Sequence, residues 1–429
     1  MERVIKLFWV FFLLGALSVG CRDSKDDSDL DGSVETDGQP GFDSGDHDGQ
    51  PPIDSGHADG AAPDGTIPDG EICNRDPGPD DRERKVVVSK LYTSNGDPSN
   101  AYEALDMAVE GTFAFPGDVF SMTRSTYSRI VFTPDGKIGI VAQEDGSLGV
   151  FSVNTDGSIS VVHESFEGEF YASKVVMDPA GQRVFVLSTQ WREHGGGIYS
   201  VRVNCDGTLT EEGLWAPAKL PYGMVFLPDK ESKVVVAAKD ILNSPAERNV
   251  HLLTWGPSPS VIDSVDAFGH DDFIIESFAV TNDGNYVLLG DNSGFSAEPN
   301  SVAIVQTGAT GLEPVQLLSP VEDPFDIVTS PYNNAAMVIS GFGDVVISLA
   351  YDPNNQAAPF ALGTTVSTPP LPAKAVLIDR GQLTGWVFIS ENTGIRKLVF
   401  ESNGSITDLG VTSPGSGLEN MIGSIGVQP

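Results

Sequence analysis

Residues 82–429 predict an all-β fold in which seven four-stranded blades form a ring, that is, a seven-bladed β-propeller. Three observations support this prediction. The chain contains 47 glycines and 29 prolines, a content that is typical of many tight turns and unfavourable for a mainly helical fold. An apolar run that ends at a turn recurs at a nearly constant interval. The incomplete first and last repeats complement each other.

The repeat is an apolar run of strand-forming residues followed by a turn, as in Ile-Val-Phe-Thr-Pro-Asp-Gly at 130–136. Equivalent turns follow at intervals of 45 to 54 residues, and the average interval is about 49. The anchor positions of the seven repeats are Pro134, Pro179, Pro228, Asn282, Pro331, Arg380 and Pro429. Four short strands in a unit of roughly 40–50 residues are typical of a propeller blade.

Each repeat contains the same elements in the same order after its anchor turn. In the first repeat, apolar segments at 137–143 and 148–153 precede a turn at 155–157 and another strand at 158–164. The second turn recurs in later repeats at 205–207, 310–311 and 403–404. The spacing therefore predicts an inner strand before the anchor turn and three further strands after it.

The two ends of the repeat region predict how the ring closes. The repeat of Pro429 has a first strand and no further strands, because the sequence stops there. Segments 85–92, 101–109 and 112–115 supply three strands that have no first strand before them. One C-terminal strand and three N-terminal strands would complete a seventh blade and leave no open edge within the ring.

At these turns the chain resembles the seven-bladed lactonase-like propeller family, which includes 6-phosphogluconolactonase-type proteins and repeat modules of bacterial surface proteins. The resemblance rests on Leu-Tyr-Thr-Ser-Asn-Gly at 91–96, Pro-Asp-Gly at 134–136 and Asp-Gly at 156–157. It covers 86–429 and implies the propeller fold. It says little about chemistry, because propellers support many unrelated functions.

The first strand of each blade lines the central channel of a propeller, so two columns of residues are predicted at one channel mouth. Five positions before the anchors lie Arg129, Lys174, Gly223, Ser277, Asp326, Ala375 and Ser424. Six positions before them lie Ser128, Ser173, Tyr222, Glu276, Phe325, Lys374 and Gly423. The lactonase-like family often has histidine in the first column, and this chain has none there.

The candidate ligand-binding residues of this mouth are Arg129, Lys174, Tyr222, Glu276 and Asp326. Two basic residues that face two acidic residues across the ring could orient an anionic or sugar-like ligand. They could equally do no more than neutralise one another around ordered water. The sequence leaves both alternatives open.

Loops at the same face add Arg192, His194 and His270 as candidate ligand-binding residues. They also carry acidic side chains whose oxygen atoms suit Ca²⁺: Asp271, Asp272, Asp291, Glu322 and Asp323. The two histidines could instead recruit a transition metal. Equally, these loops could bind no metal, because acidic loops are ordinary on the surface of an acidic domain. No phosphate-binding glycine loop, haem-attachment motif, His-Glu-x-x-His motif or Gly-x-Ser-x-Gly elbow is present, so no cofactor is evident.

Residues 1–21 predict an export signal that ends in a lipidated cysteine. Arg3 and Lys6 precede an apolar run at 7–17, and its length, about 16 Å as a helix, is too short to span a bilayer. The end of this segment resembles the lipobox of bacterial lipoproteins, in which the cysteine, here Cys21, is acylated. Ser18 stands where that family usually has leucine. The resemblance implies a membrane anchor, and Arg22 stands where the family's inner-membrane retention signal is typically aspartate, so the expected place is the outer membrane or cell surface, with a periplasm-facing position as an alternative. An ordinary secretory signal with an incidental cysteine is the other interpretation.

Residues 22–81 predict a disordered acidic spacer. Asp, Gly, Ser and Pro dominate this segment, and Phe42 is its single aromatic residue, so it buries too little apolar surface to offset the entropy of ordering. The whole chain has 25 basic and 60 acidic residues and a formal net charge of −35. A nucleic acid partner is therefore excluded, because binding to phosphates requires a basic surface.

Two cysteines remain besides Cys21. Cys73 lies near the end of the spacer and Cys205 lies in the second turn of a repeat, on the face opposite the predicted channel mouth. An exported compartment permits a disulfide between them, and free thiols are the alternative.

Together these features predict a lipid-anchored, surface-exposed propeller that acts as a binding or scaffold module, with an unidentified protein or a small carbohydrate-like molecule as its partner. The alternative is a lactonase-like hydrolase or sugar-acid enzyme with its site at the channel mouth. The closed ring predicts a monomer.

Overall fold

The computed structural model of the protein describes residues 72–189, 196–228, 232–242, 248–270, 273–293, 298–368, 371–392, 394–413 and 420–429. Within these residues, no helix has the length and apolar content that a membrane span requires. The predicted export signal, Cys21 and residues 22–71 of the predicted spacer lie outside the described residues.

The described residues form seven four-stranded antiparallel sheets and one additional two-stranded sheet, which confirms the predicted seven-bladed propeller. From the centre outwards, blade 1 consists of Val131–Phe132, Ile138–Ala142, Leu148–Val153 and Ile159–Phe166. Blade 2 consists of Lys174–Met177, Arg183–Ser188, Gly197–Val203 and Leu209–Ala216. Blade 3 consists of Gly223–Phe226, Lys233–Ala237, Val250–Thr254 and Val261–Val265. The two-stranded sheet pairs Ala218–Lys219 with Asp240–Ile241.

The remaining blades follow the same antiparallel order. Blade 4 consists of Ile275–Val280, Tyr286–Asp291, Ser301–Thr307 and Leu312–Leu318. Blade 5 consists of Pro324–Thr329, Ala336–Ser340, Val345–Tyr351 and Phe360–Ser367. Blade 6 consists of Ala375–Leu377, Trp386–Glu391, Gly394–Phe400 and Ile406–Thr412. Blade 7 consists of Ile422–Val427, Arg84–Lys90, Ala101–Met107 and Phe113–Ser121.

The hydrophobic core lies between adjacent blades. The second and third strands of a blade are covered on both faces, so their sequences are nearly continuous apolar runs, as in the fully buried Val234–Ala237. A cluster of buried apolar side chains occupies each interface between neighbouring blades of the described chain. Burial on both faces explains why the sequence shows little of the alternation that is typical of half-exposed strands.

The recurring turn is stabilised by its own side chains. In blade 1, Asp135 Oδ1 accepts hydrogen bonds from Thr133 Oγ1 at 2.6 Å and from the Lys137 amide at 3.2 Å. Gly136 has a φ of 69°, in the left-handed region that favours glycine. Blade 4 repeats this arrangement with Thr281 and Asp283. The recurring polar residues of the repeat are therefore explained by turn geometry.

Blade 7 closes the ring as the sequence predicts. Arg84–Lys90 pairs on one side with Ala101–Met107 and on the other with the C-terminal Ile422–Val427. Val87 lies opposite Gly426 in this pairing, so strands from the two ends of the repeat region share one sheet.

A segment that precedes blade 7, residues 72–83, lies across the face formed by the anchor turns, which we call the bottom face. A disulfide joins Cys73 to Cys205 in blade 2. Arg75 is buried and donates a hydrogen bond of 2.8 Å to the Asn204 carbonyl. Arg82 donates one of 2.6 Å to the Pro429 carbonyl at the end of blade 7. Residues 72–81, which the sequence analysis assigns to the spacer, thus contact the propeller, because a disulfide and buried arginine contacts hold them there.

Candidate functional site

The inner strands begin at the opposite, top face, and five charged side chains from five blades meet there around the channel. We call them the channel-mouth cluster: Arg129, Lys174, Glu276, Asp326 and Lys374. Four of these are candidate residues of the sequence analysis. The fifth, Lys374, lies in the second predicted column.

Arg129 of blade 1 and Asp326 of blade 5 form an ion pair across the channel. Arg129 Nη2 lies 2.6 Å from Asp326 Oδ1, and Arg129 Nε lies 3.1 Å from Asp326 Oδ2. The carboxylate also accepts backbone hydrogen bonds from Ile327 at 3.0 Å and Ala375 at 2.9 Å. Asp326 is buried and Arg129 keeps 41 % of its side chain exposed. Because four donors already bond to its carboxylate, Asp326 has a structural role, whereas part of the Arg129 side chain remains exposed to solvent.

Glu276 of blade 4 lies between two lysines from other blades. Lys374 Nζ donates a hydrogen bond of 3.0 Å to Glu276 Oε1, and Lys174 Nζ lies 3.7 Å from Glu276 Oε2. Lys174 also donates to the Glu276 carbonyl at 2.8 Å. Lys374 Nζ lies 4.3 Å from the centre of the Phe325 ring, at cation–π distance. Lys374 is buried, whereas Lys174 and Glu276 keep about a quarter of their side chains exposed.

The electrostatic environment keeps Glu276 ionised. Burial alone would raise the pKa of Glu276, but Lys174 and Lys374 outweigh that effect and lower it. Burial lowers the pKa of Lys174; Glu276 opposes this effect, and the cations of Lys374 and Arg129 add to it. Three cationic and two anionic side chains leave the cluster with one positive charge in excess, inside a strongly acidic chain.

Serines of the two columns connect neighbouring blades at the mouth. Ser128 Oγ donates to the Ser173 carbonyl at 2.7 Å, and Ser277 Oγ donates to the Pro324 carbonyl at 2.9 Å. Ser424 Oγ donates to the Ser128 carbonyl. These hydroxyl groups fix the relative positions of the inner strands, so the cluster is held on a rigid rim.

Tyr222 belongs to the same column as Glu276 but does not join the cluster. Its ring is buried and packs against Phe273 with 6.1 Å between ring centres. It lies in the apolar cluster between blades 3 and 4, and burial raises its pKa, as does the nearby charge of Asp291. The column position places the backbone at the mouth, whereas the side chain enters the core.

Three of the loop candidates, His270, Asp291 and Asp323, lie within the described residues and have partners of their own. His270 Nε2 lies 4.0 Å from Asp291 Oδ2, and Asp291 Oδ1 accepts hydrogen bonds from the Ile274 and Ser293 amides. Asp323 is buried and accepts a hydrogen bond from the Phe342 amide. Its pKa is raised to about 6 by burial, and by the negative charges of Glu276 and Glu322.

Among the described residues, no group of three or more histidine, cysteine, aspartate or glutamate side chains is arranged to hold a metal ion. Asp291 and Asp323, two of the predicted oxygen ligands, accept backbone hydrogen bonds through Oδ1 and Oδ2 respectively. Four further candidates lie outside the described residues: Arg192, His194, Asp271 and Asp272.

Lys374 is not among the candidate residues predicted from the sequence, although the sequence contains a signal for it. Lys374 is 98 residues from Glu276, which is twice the common interval of 49, and 49 residues from Phe325. Residues separated by whole repeats occupy equivalent positions in different blades, so they can meet at the channel. A search for opposite charges at such separations would have found this pair.

Fold and site together define a seven-bladed β-propeller with a charged channel mouth, and solved structures of similar architecture exist. A proposed 6-phosphogluconolactonase from Bacteroides uniformis is similar with a TM-score of 0.59 and 15 % identity, over 81 % of this chain and 100 % of that chain. A periplasmic gluconolactonase from Pseudomonas aeruginosa has a TM-score of 0.57 and 14 % identity, over 81 % and 99 % of the two chains. No protein-family model and no curated protein sequence matches this chain. At these identities the likeness establishes the fold.

Proposed function

We propose that the protein is a lactonase-like propeller that binds a small, oxygen-rich lactone at the channel mouth and hydrolyses it to the hydroxy acid. The observation that carries this proposal is the partly exposed Lys174–Glu276 pair beside the exposed part of Arg129. The excess of cationic groups suits a carbonyl oxygen that becomes negatively charged during the reaction. A proposed 6-phosphogluconolactonase and a gluconolactonase among the structures of similar fold support the same class of substrate.

The cluster supplies two parts of such a reaction. Water adds to the lactone carbonyl carbon and loses a proton to solvent, and negative charge develops on the carbonyl oxygen. The ring carbon–oxygen bond then breaks, and the leaving ring oxygen takes up a proton from solvent, which gives a carboxylic acid and a hydroxyl group. Lys174 and Arg129 would stabilise the developing charge. Glu276, ionised at neutral pH, would accept a hydrogen bond from the attacking water and orient it.

The experiment is a pH-stat assay of acid release from γ- and δ-lactones of sugar acids, with the mature protein and two variants. Glu276→Gln and Lys174→Met should each lower kcat/KM by about tenfold or more, which corresponds to about 1.4 kcal/mol of lost transition-state stabilisation. Lys137→Met is the matched control, because Lys137 is exposed on the bottom face. Its activity should equal that of the wild type.

A binding module without catalysis is the second candidate function, and the pairing of both carboxylates in the cluster favours it. Calorimetric titration of the same protein with the corresponding sugar acids separates the two. Binding that Lys174→Met weakens, without any lactone hydrolysis above the buffer rate, would support the binding module. The absence of both binding and hydrolysis would refute both functions.

We further propose that Cys21 is acylated and anchors the propeller to a membrane facing an oxidising compartment. The Cys73–Cys205 disulfide supports export, because such bonds persist in oxidising environments. Replacing Cys21 by alanine should move the protein from the membrane fraction to the soluble fraction and abolish labelling with radioactive palmitate. Unchanged fractionation of the Cys21→Ala protein would refute the anchor and leave the lactonase proposal untouched.

A further inference from the structure

The two carboxylate oxygens of Glu276 have different surroundings. Lys374 Nζ donates a hydrogen bond of 3.0 Å to Glu276 Oε1, whereas Lys174 Nζ lies 3.7 Å from Oε2, beyond hydrogen-bond distance. Glu276 keeps 22 % of its side chain exposed. One oxygen of this carboxylate is therefore fixed by the protein, and the other is less engaged.

The ammonium group that holds Oε1 is itself fixed. Lys374 comes directly before the inner strand of blade 6, and its side chain, which is only 6 % exposed, reaches Glu276 of blade 4. Its Nζ also donates a hydrogen bond of 3.2 Å to the Phe325 carbonyl of blade 5 and lies 4.3 Å from the centre of the Phe325 ring. The Lys374 amide donates one of 3.0 Å to Ser390 Oγ. Contacts with two other blades thus define the position of this one group.

Lys174 differs from Lys374 in exposure and in partners. Its side chain is 25 % exposed, and its Nζ donates a hydrogen bond of 2.8 Å to the Glu276 carbonyl rather than to the carboxylate. The more exposed lysine can contact a molecule in the channel mouth, whereas the buried lysine has all its contacts within the protein. The two lysines are therefore suited to different roles.

We propose that Lys374 is a positioning residue of the channel mouth, which holds Oε1 of Glu276 and thereby leaves Oε2 as the oxygen that orients the attacking water. This inference rests on the proposed function, in which Glu276 orients the water in lactone hydrolysis. A carboxylate fixed through one oxygen has its other oxygen directed before the substrate binds, and such preorganisation lowers the barrier of a reaction. Lys374 itself would touch neither the lactone nor the water.

The charge of Lys374 also acts on the protonation of Glu276. Burial raises the pKa of Glu276, and the cations of the two lysines outweigh that effect and lower it. Asp323 is the neighbouring carboxyl group, and its pKa is raised to about 6 by burial, and then by negative charges that include Glu276. Arg129 and Asp326, the other charged groups of the cluster, bond to each other. Below pH 6, the negative charge therefore lies on Glu276 in preference to Asp323.

The test is the kinetics of lactone hydrolysis by the mature protein and its Lys374→Met variant as a function of pH. At about pH 7.5, where Glu276 is ionised in both proteins, kcat of the variant should be lower by about tenfold. KM should change by less than about twofold, because Lys374 does not touch the lactone. The acid limb of kcat/KM should move up by about one pH unit, because the pKa of Glu276 rises when a neighbouring cation is lost.

The decisive comparison is the double variant with Glu276→Gln. A residue that acts through Glu276 should add nothing once that carboxylate is gone, so Glu276→Gln should have the same kcat with and without Lys374→Met. Lys90→Met is the matched control, because Lys90 Nζ lies 2.7 Å from Glu103 Oε2 in blade 7 and its side chain is 16 % exposed. This control loses a similarly buried ammonium group and should keep the kcat, KM and pH profile of the parent.

A second measurement does not depend on turnover. The carboxyl ¹³C resonance of Glu276, identified by its absence in Glu276→Gln, should titrate at a higher pH in Lys374→Met than in the parent. Lys374→Gln, which also lacks the ammonium group, is the second variant if the methionine variant does not fold.

Two results would overturn this inference in an active enzyme. The first is an unchanged kcat and an unchanged titration midpoint in Lys374→Met. The second is a further loss of kcat in the double variant, since Lys374 would then act by a route other than Glu276. A parent protein that hydrolyses no lactone would refute the proposed function, and with it the role of Lys374 in hydrolysis.

Discussion

Replacing both Cys73 and Cys205 by alanine should destabilise the propeller by about 5 kcal/mol. The disulfide joins residues separated by 132 positions in the sequence. In the chain-entropy description, a cross-link that closes a loop of this length removes about 17 cal/mol/K of entropy from the unfolded chain. At 25 °C this entropy corresponds to the stated free energy. For a domain of roughly 350 residues, the expected fall in Tm is about 7 °C.

The folded state should change little in the double variant, because other contacts hold the same segment. The Gln182 side chain bonds to both the amide and the carbonyl of Cys73. Arg75 and Arg82 anchor the residues that follow. The predicted loss therefore arises mainly from the greater freedom of the unfolded chain.

Differential scanning calorimetry of the parent and the double variant tests this magnitude. The single variant Cys73→Ala is the control, since it removes the same bond and should lose the same stability as the double variant. If the Tm of the double variant were less than about 1 °C lower than that of the parent, this result would contradict the entropy argument. Two free thiols from Cys73 and Cys205 in the denatured, unreduced parent would show that the bond is absent.

Three further outcomes are expected. Asp323→Asn should raise the free energy of unfolding in urea by up to about 3 kcal/mol above pH 6 and leave it unchanged near pH 3.5. The folded pKa of Asp323, about 6, exceeds its unfolded value of 3.8, so the carboxyl group stabilises the fold below pH 3.8 and loses that contribution as the pH rises through 6. Asp326→Ala should lower stability by about 3 kcal/mol in the same assay, because the buried Ala375 amide and the Arg129 guanidinium lose their acceptor; a loss below about 1 kcal/mol would contradict this. Gly426→Ala should lower the free energy of unfolding by about 1–3 kcal/mol, because the added Cβ would lie 2.6 Å from the Ile130 carbonyl oxygen. An unchanged melting temperature of this variant would show that the inner strands can shift to make room for the Cβ.

The repeat made the architecture predictable from the sequence. The anchor interval identifies which residues begin the inner strands, and it places Arg129, Lys174, Glu276 and Asp326 at one end of the channel. The interval also explains why Ala375 bonds to Asp326, 49 residues away. Periodicity is informative because every blade has the same backbone geometry, so equal positions in the repeat become equal positions in space.

Side-chain direction was not predictable in the same way. Tyr222 and Glu276 hold equivalent positions, yet the tyrosine lies in the core and the glutamate lies in the channel. The difference follows from desolvation, because an aromatic ring gains free energy in the apolar space beside Phe273 whereas a carboxylate loses it. The docking of residues 72–81 escaped prediction for a related reason. Their composition is that of the spacer, and their order depends on contacts with distant blades.

The charge of the channel mouth bears on how the proposed reaction would turn over. A lactone is neutral, so the acidic surface of the protein does not hinder its approach, whereas the product is an anion. Within the mouth, the cationic side chains and the ionised Glu276 interact directly with a bound molecule. The other acidic residues of the protein act on that molecule over roughly the Debye length, about 8 Å at physiological salt. The cations can therefore stabilise the developing oxyanion, while the surrounding field favours departure of the finished acid. This arrangement requires the positive charge to be local. It is local here, because Arg129, Lys174 and Lys374 each lie beside Asp326 or Glu276 and leave an excess of one positive charge in the cluster.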